Sequence, residues 1–267
     1  MPVTGTAYAR LAAAFPGLRV TEGAPRSGGG WVGAAELAAG GAALDAFTAH
    51  STAELTREYG RAPRPHVAAA LALHRYAWPA CLLFTVPWFL HRRVPRLPVA
   101  DVSFHRASGA MTVRTRAFAC LPDDPAAALP GAWTVPSEAA LRDELRAAVA
   151  EHLAPLLDAF GPRMRRGPRA LWAMATDEVT EGLHHVAGLM GQQERAVAEL
   201  TELLPGGTAP YAGGAGFRTA GPGGDRGGCA RDRLTCCLFY TVSPRRECVS
   251  CPRATGSDRI GRRAAAA

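Results

Sequence analysis

The sequence predicts an α+β protein with a mostly α-helical body, a small antiparallel β-hairpin and a C-terminal cysteine-rich module. Three observations lead to this fold class. Apolar residues recur at helical spacing over several long segments of the first 205 residues. The segment 102–117 instead alternates apolar and polar residues around a Ser108-Gly109 turn. Finally, four of the seven cysteines lie between positions 236 and 251.

Several helices follow from apolar periodicity and from the residues that begin or end them. Ser137 is a favourable N-terminal cap for the helix that begins directly after it, and Pro155 should kink the last turn of that helix. The predicted helices cover 4–15, 43–59, 67–90, a segment that begins after Ser137, a segment from about Arg169, and 192–204.

The β-hairpin is predicted from alternation on both sides of the turn. Val102 and Phe104 precede the turn, and Met111, Val113 and Ala117 follow it, with polar residues between them. This pattern indicates two strands with one buried face. The proline-containing segment 122–136 then reads as a linker.

A glycine-rich segment divides the chain. Residues 206–228 hold ten glycines in 23 positions, which makes regular structure entropically costly. We therefore expect a helical, substrate-binding body over 1–205, a linker over 206–228 and a cysteine module over 229–267.

Composition and cysteine use indicate a cytoplasmic protein. The start of the chain, 1–16, lacks the pattern of a secretory signal, and seven crowded cysteines do not resemble a disulfide framework. Segment 67–90 is the one candidate for a membrane span, but it contains His74, Arg75 and Pro79. We expect it to be a buried core helix, broken near Pro79, and predict no membrane span.

Positive charge is concentrated around the cysteines. From Arg231 onward, eight arginines face three acidic residues, so 8 − 3 = +5 of the chain's +7 lies there. Such charge would stabilise thiolates or attract an anionic ligand or partner. A solvated basic tail is the alternative interpretation.

Other familiar sites are absent or incomplete in the sequence. The segment from Gly214 to Thr219 lacks the third glycine and the flanking strand and helix of a dinucleotide-binding loop. Glu181 and His184 match half of a di-iron motif that has no second copy, so a polar helix face is expected instead. No acid–base pair or nucleophilic triad is present, and electrons for redox chemistry must come from another molecule.

The cysteine cluster reads Cys236-Cys237-x10-Cys248-x2-Cys251. Four thiolates can bind either a [2Fe–2S] cluster or a structural zinc ion. A zinc ribbon would repeat Cys-x2-Cys, whereas here one half is an adjacent pair, which favours iron and sulfur. Cys229, seven residues earlier, is expected to be a surface thiol, with substitution as a ligand as the alternative.

This cysteine pattern resembles that of the siderophore-iron reductase family, the FhuF-like ferric iron reductases. Weaker matches flank the pair: an arginine before it, in Arg233-Leu-Thr-Cys236, and aromatic residues and a proline after it, in Leu238-Phe239-Tyr240 and Pro244. Two stretches of the body, 73–79 and 170–173, also match weakly. The resemblance implies that Cys236, Cys237, Cys248 and Cys251 hold a [2Fe–2S] cluster.

The resemblance also implies an activity, the one-electron reduction of a ferric siderophore with release of Fe²⁺ in the cytoplasm. The partners would be the ferric siderophore and a separate electron donor, either a ferredoxin or an NAD(P)H-dependent reductase. Two alternatives stay open. One is a four-cysteine zinc module whose arginines bind nucleic acid or another acidic partner, although the adjacent cysteines disfavour it. The other is an iron–sulfur electron carrier without a siderophore site.

Overall fold

A computed structural model describes residues 4–219, 229–243 and 251–252. Over these residues the chain forms a mostly helical α+β body with small sheets, as the sequence predicts. The helices are α1 (Gly5–Ala14), α2 (Ala34–Ala38), α3 (Gly41–Tyr59), α4 (Pro65–His91), α5 (Glu138–Met164), α6 (Pro168–Leu189) and α7 (Gln193–Leu203). The strands are β1 (Val20–Glu22), β2 (Trp31–Gly33), β3 (Arg93–Arg96), β4 (Val102–His105), β5 (Met111–Val113), β6 (Ala117–Cys120), β7 (Ala132–Thr134), β8 (Gly216–Thr219) and β9 (Cys229–Asp232).

Helix α4 is the centre of the core, and α1, α3, α5 and α6 pack around it. It is long and apolar enough to cross a membrane, but 83% of its most apolar 18-residue window is buried inside the protein. A helix that is hydrophobic all round is typical of such a central position. The expected break at Pro79 is wrong, because α4 continues through Pro79 and Pro87 to His91. Packing on all sides holds the helix together where each proline removes a backbone hydrogen bond.

Helix α5 begins where the sequence predicts. The Ser137 hydroxyl accepts a hydrogen bond from the Ala140 N–H group at 3.2 Å, which caps the first turn. The helix ends later than expected, because it continues past Pro155 to Met164. Pro155 is therefore an interior residue of α5 and does not lie in its last turn.

Helix α6 packs closely against α4. A Cβ atom at Gly182 would lie 3.3 Å from Leu82 Cδ2, which is tighter than ordinary van der Waals contact. The missing side chain of Gly182 lets the two helix backbones approach. This contact positions the preceding turns of α6 beside α4.

The predicted hairpin is present, as β4 and β5 pair in antiparallel fashion from Val102 opposite Val113 to Phe104 opposite Met111. It is the middle of a four-stranded sheet with the order β1-β5-β4-β2. Two details differ from the prediction. Ser103 and Thr112 are also buried, so both faces of the hairpin are covered. Ala117 belongs to β6, in a second sheet with the order β3-β6-β7.

The segments expected to be linkers contain strands. Within 122–136, β7 pairs with β6. Within 206–228, β8 pairs with β9 in antiparallel fashion. In the same segment Tyr211 is buried, and its hydroxyl donates a hydrogen bond to the Arg146 carbonyl at 2.8 Å. Tertiary pairing therefore orders parts of both segments despite their composition. The division of the chain into a body, a linker and a cysteine module stays a prediction.

A buried histidine in the core gives a testable pH dependence. His152 is fully buried, and its Nδ1 and Nε2 atoms lie 2.7 Å from the Leu97 carbonyl and 2.9 Å from the Tyr76 hydroxyl. Burial lowers the pKa of His152 to about 4, despite the hydrogen bond to Leu97. In the unfolded chain the pKa of a histidine is about 6.5. Between pH 6.5 and pH 4 the folded protein therefore binds fewer protons than the unfolded chain, and the free energy of unfolding falls as the pH drops.

We expect the free energy of unfolding to fall by about 2 kcal/mol from pH 7 to pH 5 because of His152. Urea denaturation of the wild type and of His152→Gln across this range would measure it, since the variant lacks the titrating group. The free-energy curve of the variant should be flatter than that of the wild type. Parallel curves would show that His152 is not held neutral in the fold.

Candidate functional site

The buried carboxylate of Asp177, on α6, binds the chain just before the cysteine pair. Asp177 is completely buried and accepts hydrogen bonds from the N–H groups of Leu234 and Thr235 at 2.9 and 2.8 Å. The Thr235 hydroxyl donates at 2.7 Å, and the Arg231 guanidinium forms an ion pair with the same carboxylate. A carboxylate is stable in the interior only with such donors. These bonds hold residues 231–235 against α6.

Arg231 and Arg233 are buried beside three acidic side chains of α6. Arg231 is 5% exposed and also pairs with Glu181. The side chain of Arg233 is 7% exposed, and its Nε atom lies 4.0 Å from Asp177. Burial lowers the pKa of Arg233, but the charges of Glu178 and Asp177, followed by that of Cys237, outweigh this and raise it. Arg233 is therefore charged.

A histidine of α4 completes the charged cluster. His74 Nδ1 lies 2.8 Å from both carboxylate oxygens of Glu178, which is 2% exposed. Burial lowers the pKa of His74, but the charge and hydrogen bond of Glu178 raise it by more, so the net shift is upward. The charge of Cys237 adds to the upward shift, which places this cysteine near His74.

The cysteine pair follows directly and is half-buried. The Arg166 guanidinium donates to the Cys236 carbonyl at 2.7 Å. The Leu238 N–H group lies 3.4 Å from the Cys236 sulfur, in hydrogen-bond contact. Leu238 has φ 64°, in the left-handed region, and a short 3-10 turn, Phe239–Thr241, begins after it. The backbone therefore bends at Leu238, directly after the cysteine pair.

An apolar contact fixes the other side of the cysteine pair. Leu238, Phe239 and Val242 pack on Val67 and Leu71 of α4. The rings of Phe239 and Tyr59 of α3 meet edge to face at 5.3 Å between centroids. The pair is thus held between an ionic contact with α6 and an apolar contact with α3 and α4.

The other predicted ligands are described only in part. Cys251 is buried, whereas Cys248 lies outside the described residues. Cys229 is the first residue of β9, and its side chain is likewise not described. Among the described residues, which exclude Cys248, no group of three or more histidine, cysteine or acidic side chains is arranged to hold a metal. The complete four-cysteine ligand set stays a prediction.

The described surroundings of the pair fit an anionic sulfur centre. The Leu238 amide is placed to stabilise a Cys236 thiolate, and hydrogen bonds to sulfur are a usual feature of iron–sulfur sites. Within the described part of the chain, the buried Nε atom of Arg233 has no hydrogen-bond acceptor, and a thiolate at Cys237 would raise the pKa of this guanidinium. A buried donor near Cys237 suits a negatively charged acceptor.

The remaining cysteines and the incomplete di-iron motif have structural roles. Cys81 and Cys120 are buried, and burial raises the pKa of both thiols, as expected for small core residues. Glu181 pairs with Arg231, and His184 Nε2 lies 3.0 Å from the Gln193 amide nitrogen. Both are polar residues of a helix face that interacts with neighbouring segments.

Comparison with known proteins adds no family to this description. A scan against models of protein families finds no match, and no curated protein matches the chain significantly.

The Asp177 contact gives a direct test of how the cysteine segment is held. Asp177→Asn keeps the shape of the side chain but removes the negative charge that faces Arg231. Breaking a buried ion pair typically lowers the free energy of unfolding by about 3 kcal/mol. We expect faster cleavage by trypsin after Arg231 and Arg233, measured by mass spectrometry of timed digests. The control is Asp143→Asn, because the Asp143 side chain is 70% exposed. Equal cleavage rates in the two variants would contradict this role of Asp177.

Proposed function

We propose that the protein is a cytoplasmic iron–sulfur oxidoreductase that transfers one electron from a separate donor to a ferric siderophore and so releases Fe²⁺. The observation that carries the proposal is the cysteine pair, held in a fixed turn with an amide N–H group on the Cys236 sulfur. Cys236, Cys237, Cys248 and Cys251 would hold the cluster. When bound, a [2Fe–2S] cluster supplies reversible one-electron transfer.

The residues around the pair fix its position and its exposure, and both support this proposal. Asp177 and the apolar contact with α4 fix the backbone that carries the sulfurs, so little rearrangement accompanies a change of charge. The half-buried position of Cys236 and Cys237 leaves the pair at the edge of the body, within reach of a donor and an acceptor. A ferric chelate needs only an electron to loosen its metal, so the reaction requires no general acid or base.

The burial of Arg231 and Arg233 weakens the case for the zinc-containing, nucleic-acid-binding alternative. Two of the eight arginines of the basic region are buried in ion pairs or beside carboxylates. They are not available to bind phosphates. Their burial supports a structural role in holding the cysteine segment.

Metal analysis tests the cofactor. We expect protein purified without oxygen to be red-brown, with about two irons and two sulfides per chain. Cys236→Ser and Cys251→Ser should lose the colour, because each removes a ligand. Cys229→Ser is the matched control and should keep it. A colourless protein with a single zinc ion would contradict the proposal.

A single-turnover experiment tests the reaction. Protein reduced by dithionite and then freed of it is mixed with a ferric siderophore and a chelator that captures Fe²⁺. We expect about one Fe²⁺ per chain, with return of the oxidised absorption spectrum, since one electron is transferred per iron. A protein that carries the cluster but stays reduced in this mixture would be an electron carrier without siderophore reductase activity.

A further inference from the structure

Arg233 is a buried cation on the segment that leads into the cysteine pair. Its side chain is 7% exposed. The charges of Glu178 and Asp177 raise the pKa of its guanidinium, so the group is protonated in the interior. Burial removes the water that would hydrate a guanidinium, and its N–H groups then need acceptors inside the protein.

The carboxylate of Asp177 is occupied by other donors. Its Oδ1 atom accepts hydrogen bonds from Arg231 and from the Leu234 N–H group. Its Oδ2 atom accepts from the N–H group and the hydroxyl of Thr235, at 2.8 and 2.7 Å. The Nε atom of Arg233 lies 4.0 Å from Oδ2, which is beyond hydrogen-bond distance. Asp177 is therefore not the acceptor for this N–H group.

Glu178 is likewise engaged elsewhere, since both of its carboxylate oxygens lie 2.8 Å from His74 Nδ1. Within the described part of the chain, the buried Nε atom of Arg233 has no acceptor at all. Buried donors are normally hydrogen-bonded, because leaving one unsatisfied is costly. An unpartnered N–H group on a cation in this position indicates an anionic acceptor beyond the described side chains.

Cys237 lies within electrostatic range of Arg233. A thiolate at Cys237 would raise the pKa of Arg233 and also that of His74. The backbone is fixed on both sides of this cysteine, by the bonds of Thr235 to Asp177 and by the packing that begins at Leu238. Arg233 and the Cys237 sulfur are therefore held at a fixed separation.

We propose that Arg233 tunes the sulfur centre: its Nε–H group donates to an anionic sulfur at Cys237, and its charge raises the reduction potential of the centre. The inference rests on the proposed function and names a residue that sets the potential at which the cluster accepts its electron. That electron comes from the separate donor and leaves to the ferric siderophore, while Arg233 neither gains nor loses a proton.

The expected direction follows from charge. Reduction adds one negative charge to the centre, and a fixed positive charge nearby stabilises the reduced state more than the oxidised state. Hydrogen bonds to sulfur and local charge are among the factors that set the potential of an iron–sulfur cluster. Removal of Arg233 should therefore make the cluster harder to reduce.

An anaerobic redox titration, followed by visible absorption, tests the inference. In Arg233→Gln the ratio of reduced to oxidised cluster at a fixed potential should fall about tenfold, which corresponds to a midpoint about 59 mV lower. Arg233→Lys keeps the charge but loses the guanidinium donor, so its midpoint should lie between the two. Arg10→Gln removes an exposed arginine of α1 and is the matched control, which should leave the midpoint unchanged.

An unchanged midpoint in Arg233→Gln would overturn the inference. A purely structural role would instead lower the iron and sulfide content of both Arg233 variants without moving the midpoint of any cluster that remains. That result, or complete loss of the cluster from both variants while Arg10→Gln keeps it, would overturn the inference as well.

The two proposals fail in different ways. A wild type with iron and sulfide whose midpoint equals that of Arg233→Gln would refute the role of Arg233 alone. A wild type with zinc would refute the reductase, and the rate of zinc loss to a chelator would then test the contact between Arg233 and Cys237. Faster loss from Arg233→Gln than from Arg10→Gln would support that contact, and equal rates would overturn it.

Discussion

The buried carboxylate of Asp177 is the interaction on which the position of the cysteine pair depends. An ionised side chain in the interior needs donors to replace water, and here residues 231–235 supply them. Asp177 can therefore be buried as a carboxylate only when residues 231–235 are bound to α6. The close approach of α6 to α4 at Gly182 in turn brings the acidic turn of α6 beside His74.

The acidic side chains of this cluster lie beside basic ones. Asp177, Glu178 and Glu181 face Arg231, Arg233 and His74. We expected the positive charge around the cysteines to stabilise thiolates. The structure shows that Arg231 is already paired with two carboxylates, so its effect on the sulfurs is reduced. Among the described residues, the Leu238 amide donates to the Cys236 sulfur, and the Nε atom of Arg233 is a buried donor without an acceptor.

Much of the fold could be predicted from local patterns, whereas the surroundings of the cysteines could not. Apolar periodicity and the Ser137 cap identify the helices, and alternation about Ser108-Gly109 identifies the hairpin. Asp177 and Glu178 lie beside the apolar stripe of α6, but nothing in their spacing indicates burial, because their partners are at least 50 positions away in the chain or on another helix. Strands β7 and β8 were missed because long-range pairing overrides a proline- or glycine-rich composition.

The central claim is that the cysteine pair held by Asp177 belongs to the ligand set of an iron–sulfur cluster. X-ray absorption at the iron and zinc edges of the purified protein tests it most directly. The account predicts iron with a first shell of sulfur only and a second iron as near neighbour. Zinc in a single shell of sulfur, or iron bound by oxygen and nitrogen, would contradict it.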